Sequence, residues 1–297
     1  MNSMIYSVPD TQLNESTILI QQQSLKSLEE GKVLFIPEHS LNIDIKHRPW
    51  LEPDILDGKH KNLSFDARRQ SLGGMHPRLK NSEQETFLFE FMNQYVSYSY
   101  DLIRNLLPSY QDAIILGRTS YRPAEISGRV SSKRKDDTRL HVDAFPSTPV
   151  NNNRILRIFC NINFDGHSRK WHLGEPFPQV LEKFYPQIAP YRKNLAHLMH
   201  RLKVTKSLRS AYDHIMLQLH DRMKLDDEYQ KNAAKTAIAF PAKSTWAVFT
   251  DQVSHAALGG QYLLEQTFYL PVEAMAKPEL SPWAQIKAKE KAGELIS

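Results

Sequence analysis

The residues with the clearest catalytic potential lie in segment 139–146, which reads RLHVDAFP. His141 and Asp143 are two positions apart, and side chains alternate between faces in an extended segment, so both point the same way and can bind one ion. Two histidines and one carboxylate hold Fe(II) on one face and leave the opposite positions open for a co-substrate and dioxygen. We therefore expect a distant histidine as the third ligand, and the best candidate is His255 in the segment TDQVSHA.

Apolar runs predict the strands that must bring these ligands together. The run at 154–162, RILRIFCNI, carries large apolar residues on both faces and predicts a central strand. His255 is followed by a Gly259-Gly260 turn and by a further strand at 262–270. The remaining predicted strands cover residues 33–36, 113–126, 237–240 and 245–249.

Helical patterns flank and interrupt these strands. SEQE, from Ser82, has the spacing of a capping box, and apolar residues recur on one face from there to Pro108, so we expect a long helix that packs against a sheet. A shorter helix at 17–31 is closed by a glycine, and the chain from about 176 to 234 again has a helical period. Segment 42–78 shows no period and is expected to be an ordered loop. Strands on both sides of a helical insertion, each set with candidate ligands, predict a barrel-like double sheet around the ion. We expect His141 and Asp143 at the end of an early strand, and His255 on a late strand folded back beside it.

Composition limits the classes of protein that fit. The chain has 297 residues, is 41% hydrophobic and has a single cysteine, which fits one large domain in a reducing compartment and excludes a cysteine-built metal site. No apolar run approaches the ~18 residues of a membrane span, and the N-terminus lacks the pattern of a signal peptide, so we expect a soluble cytoplasmic protein. The net charge of +5 suits an anionic partner.

Arginines near the motif are candidates for binding that anion. A basic loop directly before His141 contains Arg129, Arg134 and Arg139, and it is either a solvated loop or an anion-binding lip beside the metal. Arg157 lies in the middle of the predicted central strand and is expected to be buried. A buried guanidinium without an anion carries a desolvation cost of several kcal/mol, so Arg157 must find an anionic partner, for which a bound organic acid is a candidate.

Four segments together resemble one known family. They are RLHVDAFPS at 139–147, RILRIFCNIN at 154–163, YDHIMLQLHD at 212–221 and DQVSHAALGGQYLLEQTF at 251–268. The chain from about residue 64 onward is similar to the Kdo 3-hydroxylases, which are Fe(II)/2-oxoglutarate-dependent dioxygenases. This combination is far more specific than the His-x-Asp pair, which is common by chance.

The resemblance implies a fold and an organisation of the chain. We expect an α+β fold with a mainly β core, a double-stranded β-helix of the jelly-roll or cupin kind, with flanking helices and a helical insertion. The single dioxygenase domain would comprise a helix-rich N-terminal support at 1–110, a β-helix core at 111–175 and 236–272, a helical insertion at 176–235 and a C-terminal tail at 273–297.

The resemblance also implies a reaction. It is hydroxylation at C3 of 3-deoxy-D-manno-oct-2-ulosonic acid (Kdo) in Kdo-lipid A, a step of lipopolysaccharide biosynthesis that gives the sugar Ko, while 2-oxoglutarate is decarboxylated to succinate and CO2. The implied cofactors are Fe(II), 2-oxoglutarate and O2, with ascorbate as a candidate stimulant, and His141, Asp143 and His255 as metal ligands. The Kdo-bearing lipid A precursor is the expected partner, at an anionic membrane surface on the inner face of the inner membrane of a Gram-negative-type bacterium.

One feature departs from the pattern of the superfamily. Many members place an arginine or lysine about ten residues after the second histidine to bind the distal carboxylate of 2-oxoglutarate, whereas residues 263–268 here contain no basic residue. We predict Arg157 in this role, with Arg154, on the other face of the strand, as the alternative and Gln266 as a further candidate. Arg129, Arg134 and Arg139 are predicted to bind the anionic groups of the substrate.

Two other functional classes remain open at this point. The first is a non-catalytic barrel that binds an acidic sugar, in which His141 and Asp143 are structural residues. The second is a 2-oxoglutarate oxygenase that acts on protein or nucleic acid. Because the basic loop contains no interleaved aromatic residue, we expect no nucleic-acid partner.

Overall fold

The computed structural model describes residues 4–8, 17–128 and 131–294, which form two β-sheets with helices around them. The strands are β1 Ile5–Ser7, β2 Val33–Ile36, β3 Leu63–Asp66, β4 Ser71–Gly73, β5 Ile115–Arg122, β6 Arg154–Asn161, β7 Arg169–Leu173, β8 Thr236–Phe240, β9 Ser244–Phe249, β10 His255–Gly259 and β11 Leu263–Leu270. The helices are α1 Ile18–Glu29, α2 Glu83–Leu106, α3 Phe177–Phe184, α4 Lys193–Arg201, α5 Ala211–Leu225, α6 Asp227–Asn232 and α7 Pro282–Glu294.

The large sheet has the strand order β1-β2-β9-β6-β11-β5-β3-β4. Strand β6 pairs antiparallel with β9 on one side and with β11 on the other, so the prediction of a central strand at 154–162 is confirmed. Arg157 lies opposite Val248 in one ladder and opposite Thr267 in the other.

The small sheet is antiparallel, with the order β10-β7-β8. Side chains of both sheets pack into one buried cluster, in which Phe159 and Trp246 come from the large sheet and Trp171 and Phe240 from the small one. The Phe240 and Trp246 rings stack with centroids 4.0 Å apart, and Trp171 meets Phe159 edge-on at 5.0 Å. The two sheets therefore face each other across an aromatic core.

Helix α2 packs on the outer face of the large sheet. The Ser82 side chain accepts a hydrogen bond from the Glu85 amide at 3.1 Å and caps the helix, as the capping-box spacing predicts. The buried Tyr95 hydroxyl of α2 donates to the Ile158 carbonyl of β6 at 2.8 Å. The prediction that this helix supports a sheet is confirmed.

Helices α3 to α6 lie between β7 and β8 in the chain, and three of them contact the segment that carries the metal-binding motif. Leu140 and Val142 are fully buried in a cluster with apolar side chains of α3, α5, α6 and the C-terminal helix α7. Because the two residues that flank His141 are held in this way, the histidine side chain faces the interior between the sheets. Within the described ranges, no helix combines the length and the apolar composition that a bilayer span requires.

Two stretches differ from the sequence-based expectation. Segment 42–78, expected to be a loop, contains β3, β4 and short 3-10 turns, and β7 was not predicted. These strands are three to five residues long, which is too short for the period-2 pattern to stand out from its surroundings.

Candidate metal centre

Backbone pairing brings the two parts of the predicted metal site together. The His141 amide donates to the His255 carbonyl at 3.0 Å, and the His255 amide donates back to the His141 carbonyl at 2.9 Å. The Asp143 amide donates to the Thr250 carbonyl at 2.8 Å. Segment 141–143 is thus an isolated bridge to the start of β10 and not the end of a regular strand, which corrects the expectation of a strand there.

The two imidazoles are oriented for metal binding. Nδ1 of His141 lies 2.7 Å from the Arg139 carbonyl, and Nδ1 of His255 lies 2.8 Å from the Val253 carbonyl. A carbonyl only accepts, so each Nδ1 carries the proton and each Nε2 keeps a free lone pair. One ligand atom from each of His141, Asp143 and His255 lies within 4.8 Å of the others, and the described part of the chain contains no other such group of three.

The charge states of these side chains also suit a metal. Burial lowers the pKa of both imidazoles, and the neighbouring His255 lowers that of His141 further, so both rings are neutral near pH 7. Burial alone would raise the pKa of Asp143, but the Arg157 guanidinium, with Nη1 3.3 Å from Oδ2, holds it below its usual range. Two neutral imidazoles and one carboxylate form the ligand set of non-haem Fe(II) sites.

A cavity of about 560 Å³ opens beside the three ligands, and its wall includes the buried Arg169 and the largely buried Arg122 and Arg157, whose side chains are 16% and 13% exposed. Arg157 pairs with Glu265 at 3.2 Å as well as with Asp143, and Arg122 pairs with Glu265 at 3.1 Å and with Asp137 at 3.2 Å. Arg169 instead donates only to the Gly260 carbonyl, at 2.8 Å, and burial lowers its pKa to about 9. The wall therefore holds a guanidinium that forms no direct ion pair with a carboxylate of the described residues, although Glu125, Asp137 and Glu265 act on its charge from a distance.

The same wall contains polar atoms without a partner. Nε of each of Arg122, Arg157 and Arg169, and Nε1 of Trp171, are buried and make no hydrogen bond to the described protein atoms. The indole of Trp171 stacks on His255 with ring centroids 5.1 Å apart. Buried donors without partners are rare in proteins, and these four all belong to residues that line the cavity, so its wall has hydrogen-bonding capacity that the described protein atoms do not use.

Comparison with known proteins agrees with this geometry. A family model described as 3-deoxy-D-manno-oct-2-ulosonic acid (Kdo) hydroxylase matches residues 12–292. The chain belongs to the Kdo hydroxylase family. No curated protein matches it at a significant level.

Solved structures of a Kdo hydroxylase, KdoO, described as a non-haem Fe(II) alphaketoglutarate-dependent dioxygenase, share 43% sequence identity with this chain over 97% of its length and 96% of theirs. The complex with alphaketoglutarate, another name for 2-oxoglutarate, and Fe(III) has a TM-score of 0.91. The complex with cobalt(II) has a TM-score of 0.92, and the complex with succinate and Fe(III) one of 0.91. Our chain thus has the mixed α and β fold, with a large β-sheet core, of an Fe(II)/2-oxoglutarate-dependent dioxygenase.

The three residues predicted to bind 2-oxoglutarate lie in different places in this Kdo hydroxylase. Arg157 lines the cavity, but its anionic partners within the chain are Asp143 and Glu265. Arg154 faces away from the cavity, where it is fully buried and binds Asp251 through Nε at 2.8 Å and Nη2 at 3.2 Å. Gln266 is also buried outside the cavity lining and accepts a hydrogen bond from the Thr119 hydroxyl at 2.6 Å. The structure does not bring Arg154 or Gln266 to the site.

The arginines predicted to bind the substrate also differ in their positions relative to the cavity. Arg134 lines the cavity mouth, is 62% exposed in its side chain, and has Nε 3.1 Å from Asp221. Arg139 turns to the helices, where Nη2 donates to Asp227 at 2.6 Å, and it does not line the cavity. Arg129 lies outside the described residues.

Several cavity residues were missed by reasoning from the sequence. Arg122 ends β5, while Arg169 and Trp171 lie on the buried face of β7. His220 and Lys224 reach the cavity from α5, and the His220 ring lies 5.4 Å from that of His141. The one available signal was the alternation in RKWHL at 169–173, which places Arg169, Trp171 and Leu173 on one face.

Proposed function

We propose that this protein hydroxylates C3 of Kdo in Kdo-lipid A to give Ko, with one molecule of 2-oxoglutarate decarboxylated to succinate and CO2 for each hydroxyl group introduced. The observation that carries the proposal is the convergence of His141, Asp143 and His255 beside an arginine-rich cavity, in a chain of the Kdo hydroxylase family. KdoO, its 43% identical relative, has been solved with alphaketoglutarate and with succinate.

The residues fit ferrous iron in charge and in orientation. Nε2 of His141 and of His255 would be the nitrogen ligands, and the Asp143 carboxylate the oxygen ligand. Asp143 Oδ2 makes no hydrogen bond to the described residues and has only the ion pair with Arg157, so a bound cation would satisfy a buried acceptor. Bound iron supplies the activation of dioxygen and the oxidising power for the reaction. The protein fixes the ligands through the carbonyls of Arg139 and Val253, which hold both imidazole tautomers.

We propose that the arginine wall binds 2-oxoglutarate. A dianionic co-substrate needs cationic donors at the end remote from the metal, and bidentate guanidinium groups suit a carboxylate. Arg157 is the candidate from the sequence, and the structure adds Arg169, which lacks an ion-pair partner, and Arg122 beside it. Trp171 would contribute its free indole N–H and exclude water from the His255 side of the site.

The mouth of the cavity suits an anionic sugar. Lys59, Lys61, Arg134 and Lys135 all line it, and a cavity of about 560 Å³ is within the usual size range of small-molecule sites. We propose that Arg134 contacts the carboxylate of Kdo or a phosphate of the lipid. Arg129 remains a candidate for the same role, whereas the pairing of Arg139 with Asp227 favours a structural role for Arg139.

We also propose a classification of the fold and a location for the enzyme. Three strands of the large sheet, β6, β9 and β11, face the small sheet of β7, β8 and β10. This arrangement supports a double-stranded β-helix, with a core at 111–175 and 236–272 and a helical insertion at 176–235. A lipid-linked substrate and a net charge of +5 support peripheral binding to an anionic membrane surface on the cytoplasmic side.

The proposal is tested by mass spectrometry of Kdo-lipid A after incubation with the enzyme, Fe(II), 2-oxoglutarate and ascorbate. We expect a gain of one oxygen atom in Kdo, and equal amounts of succinate and hydroxylated product. Omission of 2-oxoglutarate and the His255→Ala variant are the controls. If 2-oxoglutarate is consumed but Kdo is unchanged, the enzyme oxidises another acceptor. If neither is consumed, the protein is a non-catalytic binder.

A further inference from the structure

Helix α4 and the loop after it carry apolar side chains on their solvent-exposed face. Leu195, Leu198, Leu202 and Val204 are 51%, 51%, 65% and 53% exposed. The three leucines recur at steps of three and four residues and so form one stripe, while Ala196 on the opposite face is buried. A surface helix of a globular protein normally turns its apolar stripe toward the core, so packing within the chain does not account for this one.

The same segment is uniformly basic. No aspartate or glutamate occurs between Glu182 and Asp213. Lys183, which precedes α4, pairs with Glu175. The exposed lysines and arginines of 192–206 form no ion pair with a carboxylate in the part of the chain that the structure describes; they are Arg192, Lys193, Arg201, Lys203 and Lys206. We call these cations and the four apolar residues named above the α4 patch.

Hydrogen bonds attach the patch to the cavity mouth. The Lys206 amide donates to the Ser147 carbonyl at 2.9 Å, and Nη2 of Arg209 donates to the Pro146 carbonyl at 2.7 Å. Pro146 and the adjacent Phe145 line the cavity beside the metal ligands. A surface that engages the patch therefore lies next to the entrance of the site.

We propose that the α4 patch docks the enzyme on an anionic phospholipid bilayer, with the leucine stripe inserted among the headgroups and the cations in contact with lipid phosphates. An apolar stripe with flanking lysines and arginines is the pattern of a helix that lies in the membrane interface. Self-association through this face would bring two sets of unpaired cations together, which like-charge repulsion opposes. The proposal deepens the proposed function, on which it rests for its purpose, since the substrate there is lipid-linked.

The test is co-sedimentation of the full chain with phosphatidylcholine vesicles, with and without added phosphatidylglycerol. We expect binding to the anionic vesicles that weakens with salt and is at least about tenfold weaker on the neutral ones. The double substitution Leu195→Asp/Leu198→Asp should weaken binding at least about tenfold, because it places charge in the inserted face. Arg201→Gln/Lys203→Gln should weaken it by about fivefold per cation and reduce the salt dependence.

Ile18→Asp/Leu19→Asp is the matched control, because Ile18 and Leu19 on α1 are 73% and 64% exposed and the double substitution changes charge equally. This control should bind as the wild type does, and thermal melting should show that all three double variants are folded. The proposal is overturned if the Leu195→Asp/Leu198→Asp variant binds anionic vesicles as well as the wild type does. It is also overturned if the wild-type protein stays in the supernatant when the anionic vesicles sediment. A wild-type dimer that these substitutions convert to a monomer overturns it too, since the patch is then an interface between copies.

The vesicles contain no Kdo, so vesicle binding and hydroxylation are measured independently. Hydroxylation of detergent-dispersed Kdo-lipid A by the Leu195→Asp/Leu198→Asp variant should equal that of the wild type, while hydroxylation of the same lipid in anionic vesicles should fall in parallel with vesicle binding. Vesicle binding by an enzyme that leaves Kdo unchanged would remove the proposed function and keep the docking surface.

Discussion

Replacing Arg169 with methionine distinguishes a guanidinium that binds the co-substrate from one that stabilises the fold. Arg169 is buried, has no carboxylate partner among the described residues, and has a pKa lowered by burial to about 9. Arg157, by contrast, lies 3.3 Å from Asp143 and 3.2 Å from Glu265, both buried. The two substitutions Arg169→Met and Arg157→Met should therefore have different effects on the protein without ligand.

The structure gives the expected magnitudes. In the metal-free protein, Arg157→Met leaves the buried Asp143 without a cation and leaves Glu265 paired with Arg122 alone, which should lower the free energy of unfolding by about 3–5 kcal/mol. Arg169→Met removes a buried cation without an ion-pair partner among the described residues. It should change the free energy of unfolding by less than about 1 kcal/mol, because the loss of one hydrogen bond to Gly260 is offset by the relief of a desolvation cost. If Arg169 binds the distal carboxylate, its loss removes charged hydrogen bonds of roughly 1.5–3 kcal/mol, or about 10- to 150-fold in the Kd for 2-oxoglutarate.

The assay is denaturant unfolding of the metal-loaded protein, without oxygen to prevent turnover, with and without 2-oxoglutarate. At a concentration 100 times the wild-type Kd, 2-oxoglutarate should stabilise the wild type by about 2.7 kcal/mol, and a variant with 100-fold weaker binding by only about 0.4 kcal/mol. Lys170→Met is the matched control, because Lys170 is the exposed neighbour of Arg169 on β7. Full stabilisation of Arg169→Met by 2-oxoglutarate would refute the assignment. A large loss of stability without ligand would make Arg169 a structural residue.

Three other predictions concern the metal, the fold and the substrate. Alanine at any one of the three metal ligands should abolish iron-dependent succinate formation and the rise in melting temperature on adding Co(II); turnover that survives would discard the triad. Arg154→Met should lower the free energy of unfolding by about 3–5 kcal/mol, because it leaves Asp251 buried and unpaired, and the KM for 2-oxoglutarate of the folded fraction should be unchanged; a raised KM without lost stability would contradict this. Arg134→Gln should weaken binding of Kdo-lipid A and reduce the salt dependence of that binding. An unchanged salt dependence would show that Arg134 faces solvent and does not contact the substrate.

The metal ligands could be predicted from the sequence because their signal is local. One intervening residue places His141 and Asp143 on the same side of any extended backbone, whether that backbone is a strand or, as found, a single bridge. The partner of His141 was a choice among the eleven other histidines, and it depended on a turn and a strand that follow His255. What holds the two parts together is the pair of hydrogen bonds between His141 and His255, a long-range pairing that no pattern within either segment specifies.

The charges of the cavity were harder to predict, because the fate of an arginine depends on which neighbours the folded chain brings to it. Arg157 stood out because large apolar residues flank it on a central strand, and the structure shows its partners to be Asp143 and Glu265. Arg139 was selected for its place beside the motif, yet Asp227 binds it from a helix that begins 88 residues later.

Arg169 had only a period-2 pattern of five residues to distinguish it, and arginine in such a pattern is usually exposed. It is buried because the turn at Gly260 crosses its side chain so closely that a Cβ at that position would lie 2.9 Å from Arg169 Cδ. Gly260 has φ +115, which disfavours other residues, so the turn both admits the arginine and supplies its one hydrogen-bond acceptor, the carbonyl 2.8 Å from Nη1. A buried guanidinium whose one hydrogen bond within the described residues goes to a backbone carbonyl has donors left for a ligand, which is the property that the proposed binding of dianionic 2-oxoglutarate by Arg169 requires.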